Sequence, residues 1–136
     1  MPFYQTTLTV PANTPAKSPV EKVWELTKGI IHRLEIQFLP GCMGMVQVQI
    51  LHGRMQIWPT GLGEAFSGED NTIAFDDFYP LLSAPYALTL RGWSPGTSYD
   101  HTIRFRVGIL PEDVAAPHLP MKRIQEILEE WLGLRK

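Results

Sequence analysis

The chain is 136 residues long, with 12 basic and 14 acidic side chains and a formal net charge of −2. At this length a chain buries about two-thirds of its unfolded surface, so one domain around one core is expected without disulfide or metal staples. The near-neutral charge argues against a dedicated nucleic-acid binder, and 12 prolines with 11 glycines against 19% charged residues favour short segments joined by turns.

From Phe3 to Val10, residues Tyr4, Thr6, Leu8 and Val10 share one face, the alternation of a strand. Pro11 to Pro19 holds three prolines in nine residues, which removes backbone donors and predicts a connector or a flexible arm. Ile30, His32, Leu34, Ile36 and Phe38 then alternate with Ile31, Arg33, Glu35 and Gln37 until Pro40-Gly41. A period of two means a half-buried strand, which places His32 on the apolar side. Val46, Val48 and Ile50 alternate with Met45, Gln47, Gln49 and Leu51 up to His52-Gly53, and this strand is expected to pair antiparallel with the previous one. Met55 and Ile57 next oppose Arg54, Gln56 and Trp58 before Pro59, continuing a meander.

Thr60 to Asn71 lacks a sustained apolar period and reads as a long surface loop. Ile73 and Phe75 begin a short strand. Tyr86, Leu88 and Leu90 alternate with Ala87, Thr89, Arg91 and Trp93, and Ser94 to Ser98 is a turn. In the last strand His101, Ile103, Phe105, Val107 and Ile109 take the core face while Thr102, Arg104, Arg106 and Gly108 face outward.

The period changes beyond Pro111. Met121, Ile124, Leu128 and Trp131 recur at helical spacing, Pro120 suits a first turn and Gly133 a position past the end, so an amphipathic helix is predicted from Pro120 to Leu132. Seven or eight short strands without intervening helices predict a mainly β fold. It is an antiparallel β-sandwich with jelly-roll-like connections and one C-terminal amphipathic helix. The single domain divides into residues 1–20 (strand and proline-rich connector or arm), 21–111 (sandwich core) and 112–136 (helical segment).

Cys42 is the only cysteine, so no intrachain disulfide forms and assembly in a reducing cytoplasm is expected. Met1 to Thr7 lacks the basic start and apolar run of a secretory signal. No apolar run approaches the ~20 residues of a membrane-spanning helix, so a soluble protein is expected.

Parts for catalysis are scarce. Ser67 lacks the glycine two positions before it that a nucleophile elbow requires. His32, His52, His101 and His118 are scattered without zinc-ligand spacing, and Gly61-Leu62-Gly63 lacks the Lys-Ser/Thr of a phosphate loop. Glu69-Asp70 and Asp76-Asp77 do not follow a calcium-loop pattern and read as solvated charge. No cofactor or metal is expected. His32 and His101 meet only if their strands are neighbours or face each other, and the simpler reading of each is a strand-end histidine hydrogen-bonded to backbone.

Two surface features are more informative. Met45, Leu51, Trp58 and Trp93 fall on faces that alternation assigns to solvent, so each lies under a loop or helix or meets another chain. Trp131 on the helix poses the same choice. Arg33, Arg91, Arg104 and Arg106 also face outward and form a basic stripe if their strands share a sheet, although Glu35 and Asp100 balance them.

The run Trp24-Glu25-Leu26-Thr27-Lys28-Gly29-Ile30-Ile31-His32-Arg33-Leu34-Glu35-Ile36-Gln37-Phe38-Leu39-Pro40-Gly41, with Met55-Gln56-Ile57-Trp58-Pro59 and Tyr99-Asp100-His101, resembles small β-sandwich proteins of tailed-phage structural gene clusters. The likeness spans Val23 to Val107 in layout, with Gly41, Pro59 and the Tyr-Asp-His turn most recognisable, and it carries no catalytic motif. It implies a jelly-roll fold and a role as a capsid decoration or turret protein, often a trimer, located in the virion after assembly in the host cytoplasm.

The expectation is therefore a non-enzymatic virion structural protein that cements or decorates a capsid. Its partners are copies of itself, a trimer foremost, and the major capsid protein or another virion protein, with no membrane and no nucleic acid. The alternative is a carbohydrate-binding sandwich whose Trp58 and Trp93 form a stacking platform beside Gln47, Gln49 or Arg91. An enzyme built on His32 or His101 with a carboxylate ranks third.

Overall fold

A computed structural model describes residues 3–111. The helix expected at Pro120–Leu132, with Trp131, lies outside the described residues. The eight strands are β1 (Phe3–Val10), β2 (Val20–Glu25), β3 (Gly29–Phe38), β4 (Gln47–His52), β5 (Met55–Trp58), β6 (Asn71–Leu81), β7 (Ala87–Trp93) and β8 (His101–Leu110). They form two four-stranded antiparallel sheets, ordered β1-β8-β3-β6 and β2-β7-β4-β5, packed together as a sandwich.

The pairing is nested. β1 pairs with β8, β2 with β7, β3 with β6 and β4 with β5, so the chain resembles one long ribbon folded at Gly53-Arg54 and rolled on itself. The roll brings β8 onto β3 and β7 onto β4. This corrects the expected meander: β3 and β4 are consecutive but belong to different sheets, and only β4 and β5 are hairpin neighbours.

Between the sheets the inward residues of alternate positions meet. Leu34, Ile36 and Phe38 from β3, Ile103, Phe105 and Val107 from β8, Val48 and Ile50 from β4, and Leu88 and Leu90 from β7 are at most 1% exposed. Burying each such side chain contributes about 1.5–3 kcal/mol. The whole expected core face of β8, His101 included, is buried.

Two bulges overturn the simple alternation elsewhere. In β3 the register shifts between Ile31, opposite Ile109, and Arg33, opposite Gly108, leaving His32 as an extra residue. Ile31 therefore joins the core cluster, while His32 lies over Gly108 on the outer face. A Cβ on Gly108 would stand 2.5 Å from His32 Nε2, so only glycine leaves that ring its place. In β5, Ile50 pairs with Trp58 and Leu51 with Gln56, which makes Ile57 the extra residue and turns Trp58 inward. An inserted residue inverts every later side chain because the strand period is two.

β2 was not expected as a strand. It is an edge strand whose inward position 22 carries lysine, and the ammonium donates to Thr6 Oγ1 and to Thr7 O on the edge of β1, both at 2.9 Å. A charged side chain there blunts the open edge and hides the apolar period.

Connections 11–19, 39–46, 59–70 and 94–100 gather at one end of the sandwich. The proline-rich segment is a docked connector and not a free arm. Ala12 N donates to Asp100 Oδ1 (2.9 Å), Asn13 N to Thr97 Oγ1 (2.9 Å), Gly96 N to Asn13 Oδ1 (2.8 Å), Ser94 N to Thr14 O (2.9 Å) and Ser94 Oγ to Pro11 O (3.0 Å).

Candidate functional site

The four connections at the loop end brace one another. Glu69 Oε1 accepts from Gly41 N (3.0 Å) and Met43 N (2.7 Å), Gly44 N donates to Gly68 O (3.1 Å), and Asn71 Oδ1 holds Glu69 N (2.8 Å). Gly41 has φ +101°, and a Cβ there would stand 3.0 Å from Tyr99 Oη, so glycine lets the 39–46 loop close on the Tyr-Asp-His turn. The same two loops meet again where Met45 Cε approaches Gly96. This braced pair of loops presents Met43 (74% exposed), Met45 (40%) and Tyr99 (59%) outward. Cys42 lies beneath, its Sγ 3.9 Å from His101 Nδ1, and burial, then the nearby Glu69 carboxylate, pushes its thiol pKa up.

Of the residues expected at an interface, Met45 is exposed and Trp93 is half-buried on the outer face of β7. Leu51 faces outward on β4 as alternation requires, yet is only 3% exposed, at the bottom of a hollow between β2, β7 and the β4–β5 turn. Trp58 is corrected: it is 3% exposed, lies 5.5 Å from the Tyr79 ring and 6.2 Å from Phe75, and donates Nε1–H to Asp77 Oδ2 at 2.7 Å. The two-indole sugar platform therefore does not exist. Gln49 is also committed, its amide donating to Glu64 O (2.9 Å) and Gln56 Oε1 (3.3 Å) to hold the 59–70 loop over the sheet.

The basic stripe is corrected too. Arg33, Arg104 and Arg106 share the outer face of the first sheet, but Arg91 sits on the second. Arg33 pairs with Asp76 (2.9 Å) and Glu35 (3.1 Å), and Arg106 pairs with Glu35 (3.0 Å) while donating to Gln5 (3.1 Å) and Gln37 (3.0 Å). Hydrogen bonds from Arg33, then Arg106, hold the Glu35 carboxyl below its usual range. The face is a charge-balanced network with one exposed unpaired cation, Arg104, among the described residues.

The histidines do not converge. His32 lies beside Gly108 and His101 begins the same strand, seven positions and about 23 Å away. His32 meets the Phe3 ring edge-on at 6.1 Å, and its Nε2 has no hydrogen-bond partner among the described residues. His52 ties the sheets at the other end: Pro85 O accepts from Nε2 (3.1 Å), and Tyr79 Oη donates to Nδ1 (2.7 Å). Among the described residues no group of His, Cys, Asp and Glu could hold a metal ion, and no helix is long and apolar enough to cross a membrane.

Sequence reading missed Met43 and Tyr99. Both sit in glycine-marked turns, where a large apolar side chain has no strand phase to hide it; Gly41-Cys42-Met43-Gly44 and Pro95 to Tyr99 carry that signal. In comparisons with known proteins, the sequence matches no family model and no curated protein.

Proposed function

We propose that this chain is a non-enzymatic structural protein of a virion, a jelly-roll module that decorates or cements a capsid through contacts between copies, as a trimer, and with the major capsid protein. The nested pairing of first strand with last, second with seventh, third with sixth and fourth with fifth supports the jelly-roll reading, an architecture used by viral capsid and lectin domains. Fold alone assigns no role.

The observation that carries the reading is the braced loop end. Met43, Met45 and Tyr99 stand on two loops locked by hydrogen bonds, so another chain binds them without first ordering the loops. Apolar and aromatic side chains on a fixed scaffold are what the centre of a protein interface is made of. The histidines, Gln49, Asp77 and Glu69 that an enzyme would draw on are engaged in holding the fold or stand apart.

Light scattering on the purified protein and on Met45→Glu with Tyr99→Ala tests the proposal. The wild type is expected to be a trimer and the variant a folded monomer that no longer sediments with capsids. A wild type that stays monomeric and does not associate with a capsid lattice overturns it.

A further inference from the structure

The outer face of the β2-β7-β4-β5 sheet holds a feature to which the Met43, Met45 and Tyr99 cluster does not contribute. Two hollows of about 270 and 460 Å³ lie along it and meet at the Arg91–Glu21 ion pair (2.8 Å), which lines both. Leu51 and Arg54 line the first, and Lys17 and Trp93 the second. From Trp93 to Thr89 the floor runs four residues, about 13 Å, and the β4–β5 turn extends it.

The charges in this trough differ from those of the protein as a whole. Lys17, Lys22, Arg54 and Arg91 against Glu21 give four positive and one negative, a local +3 on a chain of net −2. Lys22 lines the rim, but its ammonium is spent on the edge of β1. Lys17 and Arg54 are exposed and make no ion pair among the described residues. Glu21 takes Nε–H of Arg91 and so fixes the guanidinium, whose two Nη groups make no hydrogen bond among the described residues. A fixed guanidinium with a free edge fits a carboxylate in two-pronged fashion. Trp93, half-buried, lines the same hollow, and an indole is the side chain suited to stack on the C–H side of a sugar ring.

From this arrangement we propose that the trough binds a carboxylate-bearing carbohydrate chain, with Arg91 holding a uronate carboxylate, Trp93 stacking on a ring, and Lys17 and Arg54 attracting the charges to either side. An acidic peptide is held by main-chain bonds at a sheet edge or by a cluster of arginines, whereas this floor is a sheet face that sets one guanidinium, Arg91, beside the Trp93 indole in the same hollow. That difference favours the glycan.

Calorimetric titration of the whole protein with an oligogalacturonate tests the assignment, with a neutral cello-oligosaccharide, an oligoglutamate and an oligothymidylate as comparators. The oligogalacturonate is expected to bind more tightly than the other three and to weaken as salt rises. Arg91→Gln and Trp93→Ala are each expected to weaken it by roughly tenfold or more, while Arg104→Gln, which removes an exposed cation on the other sheet, leaves it unchanged. Lys17→Gln, on an exposed connector residue, weakens it without touching the sheet and serves if Trp93→Ala fails to fold. No binding, or binding indifferent to Arg91, Trp93 and Lys17, overturns the site. Equal binding of the neutral sugar overturns the carboxylate, and equal or tighter binding of the peptide or the oligonucleotide overturns the glycan. The oligomer measurement above is independent of all of these.

Discussion

Replacing Trp58 with alanine distinguishes two placements of one side chain. Unbroken alternation from Met55 points the indole to solvent, where truncation shifts stability by no more than about 0.5 kcal/mol. The bulge at Ile57 puts it inside, 3% exposed, against Phe75 and Tyr79. Removal then loses the transfer energy of a large aromatic and leaves a cavity, a cost of about 3–5 kcal/mol. Part of that is the 2.7 Å bond to Asp77, which Trp58→Phe isolates. Because Asp77 is exposed and rehydrates, the phenylalanine variant is expected to lose about 1 kcal/mol for the bond, plus a smaller packing loss. Urea unfolding followed by circular dichroism reads both. With a slope of about 2 kcal/mol per molar urea, alanine lowers the midpoint by about 1.5–2.5 M and phenylalanine by about 0.5–1 M. An alanine variant within about 0.3 M of the wild type would refute the bulge and the inward indole together, and the phenylalanine variant keeps the test open if the alanine variant does not fold.

Glu35 sets an acid dependence. Its carboxyl is held below its usual range in the folded state by Arg33 and Arg106, so its stabilisation is fully present above the unfolded pKa and is lost as pH falls through the lower folded value. Unfolding midpoints of wild type and Glu35→Gln are therefore expected to converge in acid, and curves that stay parallel from about pH 7 to about pH 3 would contradict the Arg33–Glu35–Arg106 bridge. Gly108→Ala drives a Cβ onto His32 and is expected to cost about 1–3 kcal/mol, with partial rescue by His32→Ala; additive losses in the double-mutant cycle would mean the two do not touch. The Cys42 thiol is 1% exposed with a raised pKa, so a disulfide reagent is expected to label it only as fast as the fold opens. Labelling of the native protein as fast as of the urea-unfolded chain would show an open loop end.

Legibility in the sequence varied with locality. β8 and β1 were readable because their alternation runs unbroken between clear turns. β2 was not, because Lys22 occupies an inward position and reaches the edge of β1 instead of the core. Trp58 and His32 were misplaced for one shared reason: one extra residue in a strand leaves no mark on composition but inverts the face of every later side chain. The candidate interface was half legible. Met45 was visible as an apolar residue out of phase, but Met43 and Tyr99 lie in turns where no period exists to be broken.

The sequence by itself determined the mainly β class of the described chain, most of the turn positions and the inward set of most strands, because those depend on period and on proline and glycine chemistry within a few residues. Only the tertiary structure decided which strands are neighbours, which splits the four arginines between two sheets and seats Arg91 beside Glu21, Trp93 and Lys17 in the trough. The physical reason is distance along the chain. Glu35 and Arg106 bond across 71 positions, and the register that brings them together depends on the roll of all eight strands and on two single-residue bulges, neither of which a local window contains.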